Sequence, residues 1–176
     1  MWNILYLLPE QLPGLDQKFK SYEQFAKADI NDVLGASEKS SVKHKAYEFN
    51  SVVLRNNKGV LTMENLPYQA QFSTVQSVLV DDFTNDGLKD VLIAGNRFNV
   101  EVETTRADAS VGLFLQSDAH GNYIPSSAIE SGVFLKNNTK ELKTILLGNR
   151  SKKTSKGILV GVNNNSTRLL KASSQN

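Results

Sequence analysis

Ser77-Val78-Leu79-Val80, then Asp82-Phe83-Thr84-Asn85-Asp86-Gly87-Leu88-Lys89-Asp90, then Val91-Leu92-Ile93-Ala94-Gly95-Asn96: two short apolar runs enclose nine residues rich in Asp, Asn and Gly. Short apolar runs bounded by turn residues read as buried strands joined by a tight connection. Working outward, the same grammar holds from about residue 46 onward. Candidate strands lie at 47–55, 58–65, 76–82, 90–96, 98–105, 110–117, 121–126, 132–136, 142–148, 157–163 and 166–171. No α-crossover pattern separates them, so an all-β sandwich, barrel or propeller is expected in preference to a parallel α/β fold.

A repeat narrows that choice. A displacement of 67 residues carries Ser77-Val78-Leu79-Val80 onto Thr144-Ile145-Leu146-Leu147 and the 89–96 segment onto 156–163. Each copy reads as strand, polar connection, apolar strand, small residue, Asn. A second pair also matches: Ser51-Val52-Val53-Leu54-Arg55 against Gly112-Leu113-Phe114-Leu115-Gln116, each running into a Gly-containing hairpin. The unit is therefore two inner strands followed by an outer hairpin, the organisation of a four-stranded propeller blade. The expected fold is mainly β, a partial β-propeller of about two to three blades over 45–176, preceded by a short helical segment within residues 1–40. Propellers close with roughly four to eight blades. An open set exposes a blade face, for which self-association, capping by the helices or a longer parent chain are the available remedies.

In that first segment, Leu15, Phe19, Tyr22 and Ala26 form one apolar stripe at helical spacing. Asp29 is placed to cap a second helix carrying Ile30, Val33 and Leu34, with Gly35 as its stop. Residues 36–43 read as a polar linker. The 1–8 stretch is apolar but lacks a basic start and a cleavage site, so it reads as core-contacting structure rather than a targeting signal. That leaves a cytoplasmic protein, a mature form or a piece of a longer secreted chain as the expectations.

Composition removes several function classes. With 20 basic and 18 acidic side chains the net charge is +2, which gives no global electrostatic case for nucleic acid. No apolar run approaches the roughly 20 residues of a membrane span. There are no cysteines and only two histidines, His44 and His120, far apart in sequence. Thiol chemistry is absent, and histidine-based catalysis has no partners to work with.

The 82–90 connection is the one constellation with chemistry. Carboxylates stand at its positions 1, 5 and 9, a hydroxyl at 3 and Gly at 6. Calcium takes six to eight oxygens in a flexible cage, and a tight loop turns alternate positions inward. Gly87 permits the sharp reversal. Three carboxylates this close repel one another without a cation. The loop is no EF-hand: Ile93 stands at position 12, where a bidentate Glu belongs. The alternative is a plain Asp/Asn/Gly turn that binds nothing.

The 80–92 stretch, Val-Asp-Asp-Phe-Thr-Asn-Asp-Gly-Leu-Lys-Asp-Val-Leu, resembles the calcium loop of FG-GAP/VCBS repeat proteins, whose blades read Asp-Phe-Asn-x-Asp-Gly-x-x-Asp. The 22–34 segment, Pro67-Tyr68-Gln69-Ala70-Gln71-Phe72-Ser73, Ala94-Gly95-Asn96 and the 106–112 segment resemble the C-terminal part of large secreted bacterial VCBS-repeat proteins. The resemblance implies an integrin-α-like β-propeller fold with calcium in the loop. By the motif, Asp82, Asp86 and Asp90 carry over as side-chain ligands and Leu88 as a carbonyl ligand. Thr84 departs from the usual Asn or Asp, which lowers the expected affinity. The equivalent connection, Gly148-Asn149-Arg150-Ser151-Lys152-Lys153-Thr154, has lost its carboxylates, and no ion is expected there. The implied function is a non-enzymatic calcium-binding module for protein or glycan binding and adhesion at a bacterial surface, or one that closes a larger propeller. Calcium affinities of extracellular modules, about 0.1–1 mM, point to an extracytoplasmic setting.

Other readings are weaker. The 148–154 segment lacks the second glycine of a phosphate loop. Arg150, Lys152, Lys153 and Lys156 read as a solvated rim. Asn137-Asn138-Thr139, Asn149-Arg150-Ser151 and Asn164-Asn165-Ser166 match glycosylation sequons and otherwise read as turns. A carbohydrate-active hydrolase or lyase using Glu101, Glu103 and Asp108 is the alternative function, without an aromatic-lined cleft in the sequence to support it.

Overall fold

The computed structural model describes residues 14–102, 104–148 and 154–171. It divides into two units, Met1–Glu48 and Phe49–Asn176. In the first, α1 (Leu15–Lys18), α2 (Tyr22–Lys27) and α3 (Ile30–Leu34) are followed by a 3-10 turn over Gly35–Ser40, which overlaps the polar linker expected over 36–43. The stripe from Leu15 to Ala26 does not run along one helix. Phe19 is extended, and Ser21 accepts from the Gln24 amide to start α2 afresh. The Ser21 hydroxyl thereby satisfies one of the amides that lack an intrahelical partner where α2 begins. Phe19 and Phe25 still meet edge to face at 5.5 Å. Asp29 and Asp32 form a reciprocal capping box at α3, and Gly35, with φ 55°, ends it as expected.

The second unit is mainly β, with three antiparallel sheets. A hairpin pairs β1 (Val52–Asn57) with β2 (Val60–Asn65). A four-stranded meander follows in sequence order: β3 (Val75–Asp81), β4 (Asp90–Gly95), β5 (Leu113–Ser117) and β6 (Tyr123–Ser126). After the one-turn helix α4 (Ala128–Ser131), β7 (Thr139–Gly148), β8 (Thr154–Val162) and β9 (Arg168–Lys171) make the third sheet. The sheets do not close on one another. Two expected strands are missing. Within 98–105 the described residues make turns, with only an Arg97–Ala107 bridge beside them, and 132–136 is irregular.

The core explains why β4 organises the unit. Every residue of β4 is buried. Val91 and Ile93 pack on one side with Ala70, Leu113 and Leu115. Leu92 and Ala94 pack on the other with Leu135, Leu142 and Val160, which come from the β7–β9 sheet and the segment leading to it. Successive strand side chains point to opposite faces, so one apolar run serves two cores. The cross-strand register also corrects the repeat. Leu92 faces Leu79, but its 67-residue counterpart Leu159 faces Lys143, so the first strand of the copy is displaced by 64 residues, from 79 to 143.

Candidate functional site

The 82–90 loop joins two adjacent antiparallel strands, as the sequence predicted. Asn85 and Gly87 both take positive φ, 60° and 87°, and turn the chain within three residues. Nothing lies within 4 Å of a Cβ at Gly87, so the glycine answers to backbone conformation and not to crowding.

The three aspartates do unlike work. Asp90 is fully buried. Its Oδ2 accepts from the Phe83 amide at 3.1 Å, the Thr84 amide at 3.2 Å and the Thr84 hydroxyl at 3.2 Å. Its Oδ1 accepts from the Ser117 amide on β5 at 3.0 Å, and the Ser117 hydroxyl donates to the Lys89 carbonyl. Asp90 therefore fastens both arms of the loop to the neighbouring strand. Asp82 accepts from the Asp86 amide at 3.2 Å and the Gly87 amide at 3.0 Å, one on each oxygen. Asp86 accepts from the Leu88 amide at 2.8 Å.

A carboxylate offers about four lone-pair sites. Asp82, half-buried, keeps roughly two of them, and Asp86, exposed, keeps three. Asp90 has its Oδ2 saturated and a single site left on Oδ1, in a group that solvent does not reach. Among the described residues, no three His, Asp or Glu side chains gather as a group that could hold a metal ion. As a calcium cage the fit is thus partial: Asp82, Asp86 and the Thr84 hydroxyl suit a hard cation, and Asp90 is committed to the backbone.

Sequence reasoning missed Asp81 and Ser117. Asp81 ends β3, and its carboxylate holds Lys156 of β8 at 2.9 and 3.0 Å and Lys89 at 3.7 Å. It also accepts from the Asp82 amide at 2.9 Å. The hydrogen bond from Lys156 is the main reason its carboxyl sits below the ordinary value of 3.8, against an opposing push from burial. Lys156 and Lys89 are repeat partners, which was the one sequence cue that a lysine of the second copy would return to this corner. Phe83 turns inward and meets Phe114 edge to face at 5.9 Å. Beside them a cleft of about 720 Å³ opens between the sheets, with Phe83, Phe114, Ile158 and Leu170 on its walls and Asp82, Asn85 and Lys156 at its rim.

The remaining candidates are dispersed. Asp108 is in an ion pair with Arg106 at 2.7 Å, and Arg106 lies over Phe98 at 4.9 Å. Glu101 is exposed and gives its carbonyl to the Thr104 amide. His120 donates its amide to Asp118 in a hairpin turn. Glu103, the 1–8 stretch, Arg150, Lys152, Lys153 and the sequon at 149–151 lie outside the described residues. Of the other sequons, the 137–139 stretch has Asn138 and Thr139 buried, and 164–166 is exposed. No helix among the described residues is long and apolar enough to cross a membrane. No family model, curated protein or solved structure matches the chain.

Proposed function

We propose that residues 49–176 form a non-enzymatic, calcium-binding module of FG-GAP/VCBS-like blades, an open segment of a β-propeller that serves protein or glycan binding at a bacterial surface or completes a larger propeller. The observation that carries the calcium reading is the pair Asp82 and Asp86. Both carboxylates sit in one turn, each is oriented by loop amides, and each retains acceptor capacity beyond those amides. Their charge, the Thr84 hydroxyl and the Leu88 carbonyl supply four oxygens, and water completes the six to eight that calcium takes. Asp90 adds negative charge from beneath while holding the loop in shape. Bound calcium supplies charge neutralisation and a further tie across the turn. With so many solvent ligands the affinity falls in the weak, about millimolar range of extracellular modules, which favours an extracytoplasmic setting.

Calorimetric titration of the EDTA-stripped chain with calcium tests this. The expected result is one site per chain, lost in Asp82→Asn and in Asp86→Asn while both variants keep the parent's circular dichroism. No heat and no thermal shift at tens of millimolar calcium would remove the calcium reading.

A further inference from the structure

Every layer of the second unit has two unlike faces, and the internal repeat identifies them. In the four-stranded sheet, Leu92 and Ala94 look toward the β7–β9 sheet, whereas Val91 and Ile93 look back toward the segment that follows the β1–β2 hairpin. In the third sheet, Ile158 and Val160, the counterparts of Val91 and Ile93, look back at the four-stranded sheet; Val160 is fully buried there. Leu159, the counterpart of Leu92, looks away. Leu169 stands opposite Leu159 as Phe114 stands opposite Leu92. Ile145 and Leu147 share that outward face through their pairing with Gly157 and Ser155.

The hairpin obeys the same polarity. Arg55 reaches the Gly121 carbonyl and lies over Tyr123 at 5.5 Å, so the Val53–Arg55 side faces the four-stranded sheet. Leu54 lies on the opposite side, opposite Met63, with Leu61 two residues along the partner strand. In the repeat Leu54 corresponds to Leu115, which in its own sheet is buried on the backward face. Among the described residues of this unit, the two ends of the stack are thus a backward face left exposed, with Leu54, Leu61 and Met63 at 59%, 63% and 55% exposure, and a forward face left exposed, with Leu159 and Leu169 at 38% and 42%. The packing of the four-stranded sheet on the third sheet joins a forward face to a backward face, and Arg55 ties the hairpin to the backward face of the four-stranded sheet at Tyr123.

We propose that a second copy of this chain continues the stack, seating its hairpin face of Leu54, Leu61 and Met63 on the Leu159–Leu169 face of the first. The contact is heterologous: each copy uses two different surfaces, so assembly yields a ring or an extending series. This inference rests on the layered repeat and not on calcium.

Sedimentation velocity of the full chain over a wide concentration range, in EDTA and in calcium, tests it. The parent is expected to populate species larger than a dimer as concentration rises, in both buffers. Leu159→Glu and Leu54→Glu each remove one surface, and each alone is expected to remain monomeric with an unchanged circular dichroism spectrum. Mixed together, they retain one good surface each and form a one-to-one dimer that grows no further. A parent monomeric at several hundred micromolar overturns the proposal. So does a Leu54→Glu variant that still dimerises by itself, which would mean that the forward face pairs with its own kind. If either single variant misfolds, Met63→Lys and Leu169→Lys repeat the same mixing experiment from neighbouring positions.

Discussion

Replacing Asp90 by alanine asks whether the 82–90 loop is held from below or only by an ion. The substitution deletes one acceptor group that serves four donors: the Phe83 and Thr84 amides, the Thr84 hydroxyl and the Ser117 amide. Thr84 is exposed, so its two donors find water in the variant. Phe83 and Ser117 are half-buried. An orphaned amide in such surroundings costs about 1–3 kcal/mol, and partial access to water places each in the lower half of that range. The sum is about 2–4 kcal/mol. For a unit of this size, a kilocalorie moves Tm by roughly 3–5 °C, so a fall of about 6–20 °C is expected. Asp90→Asn keeps the shape but turns an NH2 toward donors on one side, and falls between parent and alanine. The assay is differential scanning calorimetry in EDTA and again in millimolar calcium. The loss should be the same in both. A variant within about two degrees of the parent in EDTA, or a loss that appears only with calcium, would show that Asp90 acts as a ligand and that the hydrogen-bond account is mistaken.

Two further outcomes follow from the same corner of the molecule. The Asp81 carboxyl titrates below 3.8 in the folded chain because Lys156 stabilises its charged form, so its contribution is complete above that pH and is lost as pH falls through the folded value. With Lys156 more than half exposed, the pair is worth about 0.5–1 kcal/mol. The stability gap between parent and Asp81→Asn should close below about pH 4 and shrink in high salt, and a gap that ignores pH would refute the assignment. Gly95→Ala would drive a Cβ into the Thr74 carbonyl oxygen and to 2.7 Å from the Gln76 nitrogen, both backbone atoms that cannot swing aside. Strain of that kind costs about 1–3 kcal/mol or more, and is expected to appear as a loss of soluble, cooperatively melting protein; an unaltered melt would mean that the β3 bulge is softer than its register suggests.

How much of this was legible in the sequence depends on what each feature competes with. The β3–β4 pair was legible because four apolar residues in a row, entered through Asp90 and left through Gly95 and Asn96, leave few options beyond a strand buried on both faces. The displacement of β7 was not. Shifting its pairing by three residues gives Leu159 and Ile158 the polar partners Lys143 and Thr144 in place of Leu146 and Leu147, and a match of apolar runs favours the wrong register. The broken stripe at Phe19 failed for a different reason: periodicity counts side chains, whereas the cap at Ser21 is decided by one backbone amide. The polarity of stacking could be obtained only after register was known, because it depends on whether Leu159 or Val160 is turned inward.

The spacing Asp82, Asp86, Asp90 was read as a cluster that needs a cation to relieve its own repulsion. The folded loop offers a second source of relief. Amides of Phe83, Thr84, Asp86, Gly87, Leu88 and Ser117 all point their hydrogens at these three carboxylates. A tight turn necessarily leaves amides without ladder partners, and an ionised carboxylate is the strongest acceptor a side chain can offer them. The same residue spacing therefore suits a turn short of acceptors and a cation short of oxygens, since both present positive charge to the same lone pairs. What divides the two uses is burial. Asp90, sealed beneath the loop, is committed to amides, and Asp82, half-buried, and Asp86, exposed, have acceptor capacity left over. Calcium binding in this loop, if the titration finds it, is a use of that remainder, and the loop should keep its shape when the ion is stripped away.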